Sequence, residues 1–126
     1  MPSKLDYAKN RHNKARGEVG ETAAAKFLES AGFTILERNY RFDRGEIDIV
    51  AEDKDELVFV EVKSRQTLAF GSPEDAITPK KESYLKRTAE GYLFEHRLEG
   101  KPCRFDVVAI EWKAGRPDIR HIKNVF

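Results

Sequence analysis

Apolar residues recur every three or four positions in two stretches of the chain, which is the spacing of an amphipathic helix. The first stretch covers residues 17–31 and is followed by Gly32, a usual helix terminator. The second begins with Thr78 and Pro79, a favourable N-cap and a favourable first helical residue, and ends before Gly100. The sequence therefore predicts two helices, each with one apolar face.

Five further stretches alternate apolar and polar residues with the two-residue period of a β-strand. They are residues 33–40, 46–51, 57–63, 104–112 and 119–122. An acidic turn over residues 52–56, expected to be a solvated loop, joins the second and third strands. The fourth strand is apolar on both faces, as in the interior of a sheet. The predicted fold class is α/β, with a mixed β-sheet flanked by helices in the order α-β-β-β-α-β-β.

The composition is compatible with one folded domain and one core. The chain has 126 residues, of which 40% are hydrophobic and 36% charged. Its net charge of +1 conceals a basic start, because five Lys and Arg residues accompany a single acid, Asp6, within residues 1–17. We therefore predict a flexible basic N-terminal arm over residues 1–16 and a single domain over residues 17–126.

Three features that the sequence lacks bear on the expected cellular location of the protein. No run of about 18 apolar residues is present that could span a membrane. The N-terminus lacks the apolar segment of a secretory signal, and the single cysteine, Cys103, has no partner for a disulfide or a zinc site. We therefore expect a cytoplasmic protein that makes no membrane contact.

Candidate catalytic residues lie on the polar faces of the second and third strands. Asp48 belongs to the second strand, and Glu61 and Lys63 share one face of the third. If the two strands pair as a hairpin, two carboxylates and one ammonium group converge. Glu21 lies at the rim of the apolar stripe of the first helix, so its carboxylate is expected at the edge of the core.

This set of residues is suited to the hydrolysis of a phosphodiester. Asp48, Glu61 and the backbone carbonyl of Val62 can supply oxygen ligands to Mg²⁺ or Mn²⁺, which take few carboxylates together with water and substrate phosphate. Lys63 can orient or help deprotonate a metal-bound water, or neutralise charge on a phosphoryl oxygen. Glu21 can hold a second metal ion or a metal-bound water.

Each residue taken alone has a simpler explanation. A Glu-x-Lys pair on a strand is commonly a solvated ion pair, and Glu21 is favoured near the positive N-terminal end of a helix. The combination favours a site instead, because a helix acid, a strand aspartate and a strand Glu-x-Lys follow one another between residues 21 and 63.

This ordered combination resembles the PD-(D/E)XK nuclease superfamily. More narrowly, the chain resembles the YraN family of bacterial endonuclease-like proteins, which is related to the archaeal Holliday-junction resolvases. The matching segments span most of residues 17–110 and are GEVGETAAAKFLESAGF, RGEIDIVA, VFVEVKSR, FGSPEDAITPKK and RFDVVAI.

The resemblance implies a restriction-endonuclease-like core and a set of roles within its active site. Asp48 and Glu61 are implied to bind metal, Lys63 to support catalysis and Glu21 to act as an accessory acid. The P in the name PD-(D/E)XK stands for a proline before the aspartate. This chain has Ile47 at that position, before Asp48, a difference that is frequent in the superfamily.

The leading hypothesis is a Mg²⁺- or Mn²⁺-dependent nuclease acting on DNA, with branched or recombining DNA as the substrate that the resemblance suggests. Phosphate contacts are assigned to Arg65, Lys80, Lys81 and the N-terminal arm, and a homodimer would suit the cutting of two strands. Two alternatives stay open. One is a nucleic-acid-binding module that keeps the nuclease scaffold without turnover, and the other is a protein-interaction domain whose basic arm docks an acidic partner.

Overall fold

The computed structural model describes the backbone of residues 4–66 and 77–126 and the side chains of residues 17–66 and 77–126. Within these ranges the elements are α1 (Lys4–Ser30), β1 (Thr34–Phe42), β2 (Gly45–Asp53), β3 (Glu56–Arg65), α2 (Pro79–Glu95), β4 (Cys103–Lys113) and β5 (Arg116–Ile122). This order confirms the predicted α/β class, a mixed sheet flanked by helices.

The five strands form one sheet in the order β1-β2-β3-β4-β5. The first three make an antiparallel meander, β4 runs parallel to β3, and β5 returns antiparallel to β4. A parallel pair needs a crossover connection, and α2 lies in the segment between β3 and β4. β4 is completely buried over residues 107–110, which confirms the two-sided burial predicted for it.

Two hydrophobic clusters fill the two faces of the sheet, one beneath α1 and one beneath α2. The valines of β3 that contact the α1 cluster are Val58, Val60 and Val62. Glu61 and Lys63 alternate with these valines and therefore project from the α2 face, as the strand pattern predicts.

The helix α1 begins earlier than predicted and ends as predicted. Its backbone is helical from Lys4, inside the range predicted as a flexible arm, residues 1–16. The side chains of that range lie outside the described residues, so the arm stays a prediction. At the other end Gly32 has φ of 95°, and the N–H of Phe33 donates to the carbonyl of Leu28 at 3.0 Å. This left-handed closure turns Phe33 into the core beside Leu28.

The helix α2 begins with the predicted cap. Thr78 Oγ1 accepts the N–H of Lys81 at 3.2 Å, and Pro79 is the first helical residue. The cap holds the first turn of α2 in place, and Lys81 belongs to that turn. Within the described ranges, no helix is both long and apolar enough to cross a membrane.

The acidic turn between β2 and β3 is more than a solvated loop, and that prediction is wrong for Asp53 and Glu56 among its residues. Arg104 of β4 donates to Glu56 at 2.8 Å, to Asp53 at 3.2 Å and to Asp106 at 3.0 Å. His121 of β5 lies 2.7 Å from Asp106. Burial would raise the pKa of Asp106, but its bonds with His121 and Arg104 lower it overall. This ion cluster ties the turn to β4 and β5 at the end of β2 opposite Asp48.

Close contact between α1 and β3 depends on a glycine. A Cβ built on Gly20 would lie 2.7 Å from the Cβ of Ser64 and 2.9 Å from its Oγ. Gly17, one turn earlier in the same helix, has nothing within 4 Å of such a Cβ. The absence of a side chain at position 20 therefore sets the depth at which α1 rests on the sheet.

Gly20→Ala should destabilise the protein, whereas Gly17→Ala should not. Both changes improve helix propensity by about 1 kcal/mol. Only the first also forces a methyl group into Ser64, an overpacking that typically costs about 1–3 kcal/mol. The free energy of unfolding measured in urea tests the difference, and equal values for the two variants would contradict the close packing of α1 on β3.

Candidate active site

The β2–β3 ladder stops next to Asp48. Its last backbone pair on this side is Ile49 with Val60. Beyond that pair the N–H of Val62 donates to Asp48 Oδ2 at 2.8 Å. A side-chain carboxylate thus takes the place of a backbone acceptor where the two strands separate. Because the N–H of Val62 makes this contact, the ligand role predicted for the Val62 carbonyl stays a prediction.

The regular alternation of β2 is interrupted at Asp48. Ile47 belongs to the core on the α2 side and Ile49 to the core on the α1 side, although residues two apart in a regular strand share a face. On β1, Asn39 falls opposite Asp48 in the register and has φ of 55°. Asn tolerates this left-handed conformation better than most residues. Asp48 thus lies where the alternation breaks, between one residue that faces α2 and one that faces α1.

Glu61 is the centre of an ion cluster on the α2 side. Its Oε1 lies 2.6 Å from Lys81 Nζ and 3.3 Å from Lys63 Nζ. The side chains of Glu61 and Lys63 are only 12% and 14% exposed, so these pairs are largely shielded from water. Lys81, predicted as a phosphate contact, therefore lies within the carboxylate set itself.

Glu21 of α1 approaches Asp48 from the other side. It is 8% exposed, and its Oε2 has no hydrogen-bond partner within the described part of the chain. Arg38 Nη2 lies 3.6 Å from this oxygen, too far for a hydrogen bond, and donates instead to Thr22 at 3.1 Å. A buried carboxylate oxygen without a partner is uncommon in folded proteins and marks Glu21 as more than a packing residue.

Burial raises the pKa of Asp48 to about 8, and the neighbouring carboxylates, Glu61 first among them, act in the same direction. The N–H of Val62 opposes this rise without cancelling it. Burial also raises the pKa of Glu21. Glu61 and Glu21 are thus near enough to Asp48 to raise its pKa, an arrangement that a divalent cation would stabilise.

The two lysines beside Glu61 respond differently to their surroundings. Burial lowers the pKa of Lys63, and the neighbouring Lys81 adds to the effect, against the charge of Glu61. Burial alone would lower the pKa of Lys81 too, but its bond to Glu61 raises that pKa overall. Lys63 is therefore the amine that gives up its proton more easily, and Lys81 is the one that stays charged.

A cleft of about 630 Å³ opens beside Asp48 on the α1 side of the sheet. Its walls include side chains of both helix and strands, among them Glu21, Asp48, Val62, Ser64, Arg65 and Trp112. Glu61 and Lys63 do not line this cleft, because they project toward α2. Asp48 is thus the residue that joins the ion cluster on one face to the open cleft on the other.

The predicted phosphate contacts occupy different positions around this site. Arg65 is exposed and borders the cleft, and Lys80 is exposed at the start of α2. Lys81 is partly buried beside Glu61. The structure therefore places Lys81 inside the charged cluster, Arg65 at the edge of the cleft and Lys80 at the surface of α2.

The donor set fits a hard divalent cation held by few protein ligands. No three acidic, His or Cys side chains in the described ranges are close enough for a ready three-ligand site. Mg²⁺ commonly takes only one or two carboxylates and keeps several waters. Asp48 and Glu61 provide such a pair, and the unpartnered Oε2 of Glu21 is a further candidate oxygen donor.

Several residues around the site carry no signal in the sequence that could have identified them. Asn39 and Arg38 lie in a strand whose pattern reads as ordinary alternation. Trp112 donates to Ser64 Oγ at 2.7 Å, a contact between strands that are far apart along the chain. Only the left-handed preference of asparagine offered a hint, and that hint points equally to a turn.

Asp48→Asn should stabilise the metal-free protein at high pH relative to the wild type. With a raised pKa, the folded state keeps a proton that the unfolded chain releases. The contribution of this group to stability is therefore lost as the pH rises from about 4 to about 8. The amide does not titrate, and its oxygen can still accept the Val62 N–H. Since one pKa unit equals about 1.4 kcal/mol, the variant should gain at least that much between about pH 5 and about pH 9.

Urea unfolding in EDTA at several pH values measures this gain. Asp118→Asn is the matched control, because that side chain is 56% exposed on β5. An equal gain in both variants, or none in Asp48→Asn, would contradict the electrostatics described for the site.

Comparison with known proteins places the chain in a family. The model of the uncharacterised protein family UPF0102 matches residues 20–110. A UPF0102 protein of Dehalococcoides mccartyi is 42% identical over 91% of this chain and 95% of its own length. One of Symbiobacterium thermophilum is 49% identical over 87% of this chain and 94% of its own length. One of Clostridioides difficile is 43% identical over 91% of this chain and 99% of its own length. The chain therefore belongs to the uncharacterised protein family UPF0102, the YraN family.

Proposed function

We propose that this chain is a divalent-metal-dependent nuclease that hydrolyses phosphodiester bonds of DNA. The observation that carries the proposal is the approach of Glu21 and of the Glu61–Lys63 pair to Asp48, where the β2–β3 ladder ends. Asp48 and Glu61 would hold Mg²⁺ or Mn²⁺, with the Val62 carbonyl and Glu21 as further oxygen donors. The ion would supply Lewis-acid stabilisation of phosphoryl charge and lower the pKa of a bound water.

The groups of the chain itself divide the remaining tasks. Lys63 Nζ, whose pKa burial lowers, can accept the proton of the attacking water. Lys81 Nζ stays charged at 2.6 Å from Glu61 and can offset negative charge that grows on the phosphoryl oxygens. Glu21 reaches the site from α1 and can orient the water. The arrangement thus contains both a proton acceptor and a fixed positive charge.

DNA is the proposed substrate because cations surround the carboxylates. Arg65 is exposed at the edge of the cleft, Lys80 is exposed next to Lys81 in sequence, and the basic residues 1–16 would add further phosphate contacts. Binding should therefore weaken steeply as the salt concentration rises. We further propose that the substrate is branched or recombining DNA and that a homodimer addresses its two strands. The single cysteine favours a cytoplasmic location.

A second candidate is a nucleic-acid-binding module that keeps this scaffold without turnover. The observation that favours it is the engagement of Glu61 with two lysines at 2.6 and 3.3 Å. A cation at Glu61 must compete with both ammonium groups. Under this alternative the lysines and the exposed Arg65 hold phosphates, and the acids only shape the pocket.

Asp48→Asn and Lys63→Ala should each abolish metal-dependent cleavage of DNA while leaving the fold intact. The first removes a metal-binding charge, and the second removes the proton acceptor, effects that commonly cost about 10²–10⁴ in rate. Cleavage of a panel of single-stranded, duplex and branched DNA with Mg²⁺ or Mn²⁺ measures the loss, and urea unfolding checks the fold.

Lys101→Ala is the matched control for Lys63→Ala. Lys101 also pairs with a glutamate, Glu52, at 3.4 Å, but at the other end of β2. It should cleave as the wild type does. If the wild type binds the panel and cuts none of it under either metal, the binding module is the correct alternative.

A further inference from the structure

One wall of the cleft beside Asp48 is an aromatic ring that the proposed hydrolysis does not use. Trp112 of β4 packs against the α1-side core and also borders the cleft. The bond from its Nε1 to Ser64 Oγ, 2.7 Å long, holds the indole in one orientation. Val19 of α1, 58% exposed, borders the same cleft. The cleft therefore offers a fixed flat ring and an exposed apolar side chain.

Polar groups complete the cleft where β3 ends. Arg65 and Gln66 lie at this end, are exposed and line the same space. The amide of Gln66 can donate and accept hydrogen bonds, and Arg65 presents a planar cation. The volume of about 630 Å³ lies within the range of small-molecule sites. Such a lining suits a planar heteroaromatic group with a hydrogen-bonding edge.

We propose that this cleft binds an unpaired nucleobase of the DNA strand, next to the phosphate that the carboxylates address. The inference rests on the proposed function, because that function brings a phosphodiester to Asp48. Asp48 itself borders the cleft. A base is joined to its phosphate through a single sugar, so a phosphate at Asp48 brings an adjoining base to the mouth of the cleft.

The base in the cleft must be unpaired. In continuous duplex DNA the faces of each base are covered by stacked neighbours, and its edge is occupied by its partner. A side chain can stack on a base only after the base has left the duplex, or where the strand is already single. The substrate class is therefore DNA with unpaired nucleotides, such as single strands, flaps and open branch points, in preference to continuous duplex.

Trp112 also provides the test, because it is the only tryptophan of the chain. Fluorescence of the wild-type protein in EDTA, excited at a wavelength that the four tyrosines do not absorb, thus reports on this cleft alone. A single-stranded oligonucleotide and a duplex with an unpaired flap should quench it in a saturable way. A fully paired duplex of the same length, at the same salt concentration, should quench it little. Anisotropy of the same DNA carrying a dye measures binding independently.

Variants separate stacking from general binding. Trp112→Ala should weaken binding of the single-stranded oligonucleotide by about tenfold or more, and Trp112→Phe, which keeps a ring, by less. Phe94→Ala is the control, since Phe94 is an aromatic residue that is 71% exposed on α2 and lies outside the cleft. It should bind as the wild type does. If Trp112→Ala fails to fold, the wild-type quenching and Trp112→Phe decide the question.

The outcomes distinguish this inference from the proposed function. Metal-dependent cleavage without any change in Trp112 fluorescence on binding overturns the inference and leaves the nuclease proposal standing. Equal quenching by fully paired and unpaired DNA overturns the preference for unpaired bases. Selective quenching without cleavage supports the base site and favours the binding module. Failure to bind any of these DNA molecules overturns both proposals.

Discussion

The geometry of the candidate site depends on the hydrogen bond from the Val62 N–H to Asp48 Oδ2, which lies where β2 and β3 stop pairing. In a continuous ladder that N–H would find a backbone carbonyl on β2, and the strands would stay paired. Here a carboxylate accepts it at 2.8 Å, and the strands separate beyond the pair of Ile49 with Val60. The exchange satisfies the backbone donor but holds a carboxylate at a half-buried position. Its pKa rises accordingly.

The rest of the molecule is arranged around that unfavourable charge. Asp48 lies between the two faces of the sheet, so each helix can deliver a different kind of group to it. From the α2 side come Glu61 and the lysines that pair with it. From the α1 side come Glu21 and the open cleft. For the proposed reaction on a polymer, a charged cluster on one face and an accessible space on the other would enclose the chemistry while the substrate enters from the side.

Stability for this arrangement comes from elsewhere in the fold. Two apolar clusters bury β3 and β4 on both faces. The charges at the far end of β2, by contrast with those at Asp48, are well matched: Arg104 meets three carboxylates, and bonding lowers the pKa of Asp106. One end of the sheet is thus electrostatically satisfied and the other is crowded with acids. Functional sites are commonly where such local mismatch is tolerated, because the surrounding packing holds the groups in place.

The sequence by itself determined the number, type and order of the elements, because the apolar periods, the Thr78-Pro79 cap and the terminating Gly32 act over a few residues. It also indicated a set of candidate catalytic residues, which are Glu21, Asp48, Glu61 and Lys63. Only the tertiary structure decided how they meet. Three contacts join segments that are distant along the chain: the hydrogen bond of Val62 to Asp48, the ion pair of Lys81 with Glu61, and the bond of Trp112 to Ser64. Local patterns carry no information about such contacts, since they are fixed by strand register and helix docking and not by any residue's neighbours in sequence.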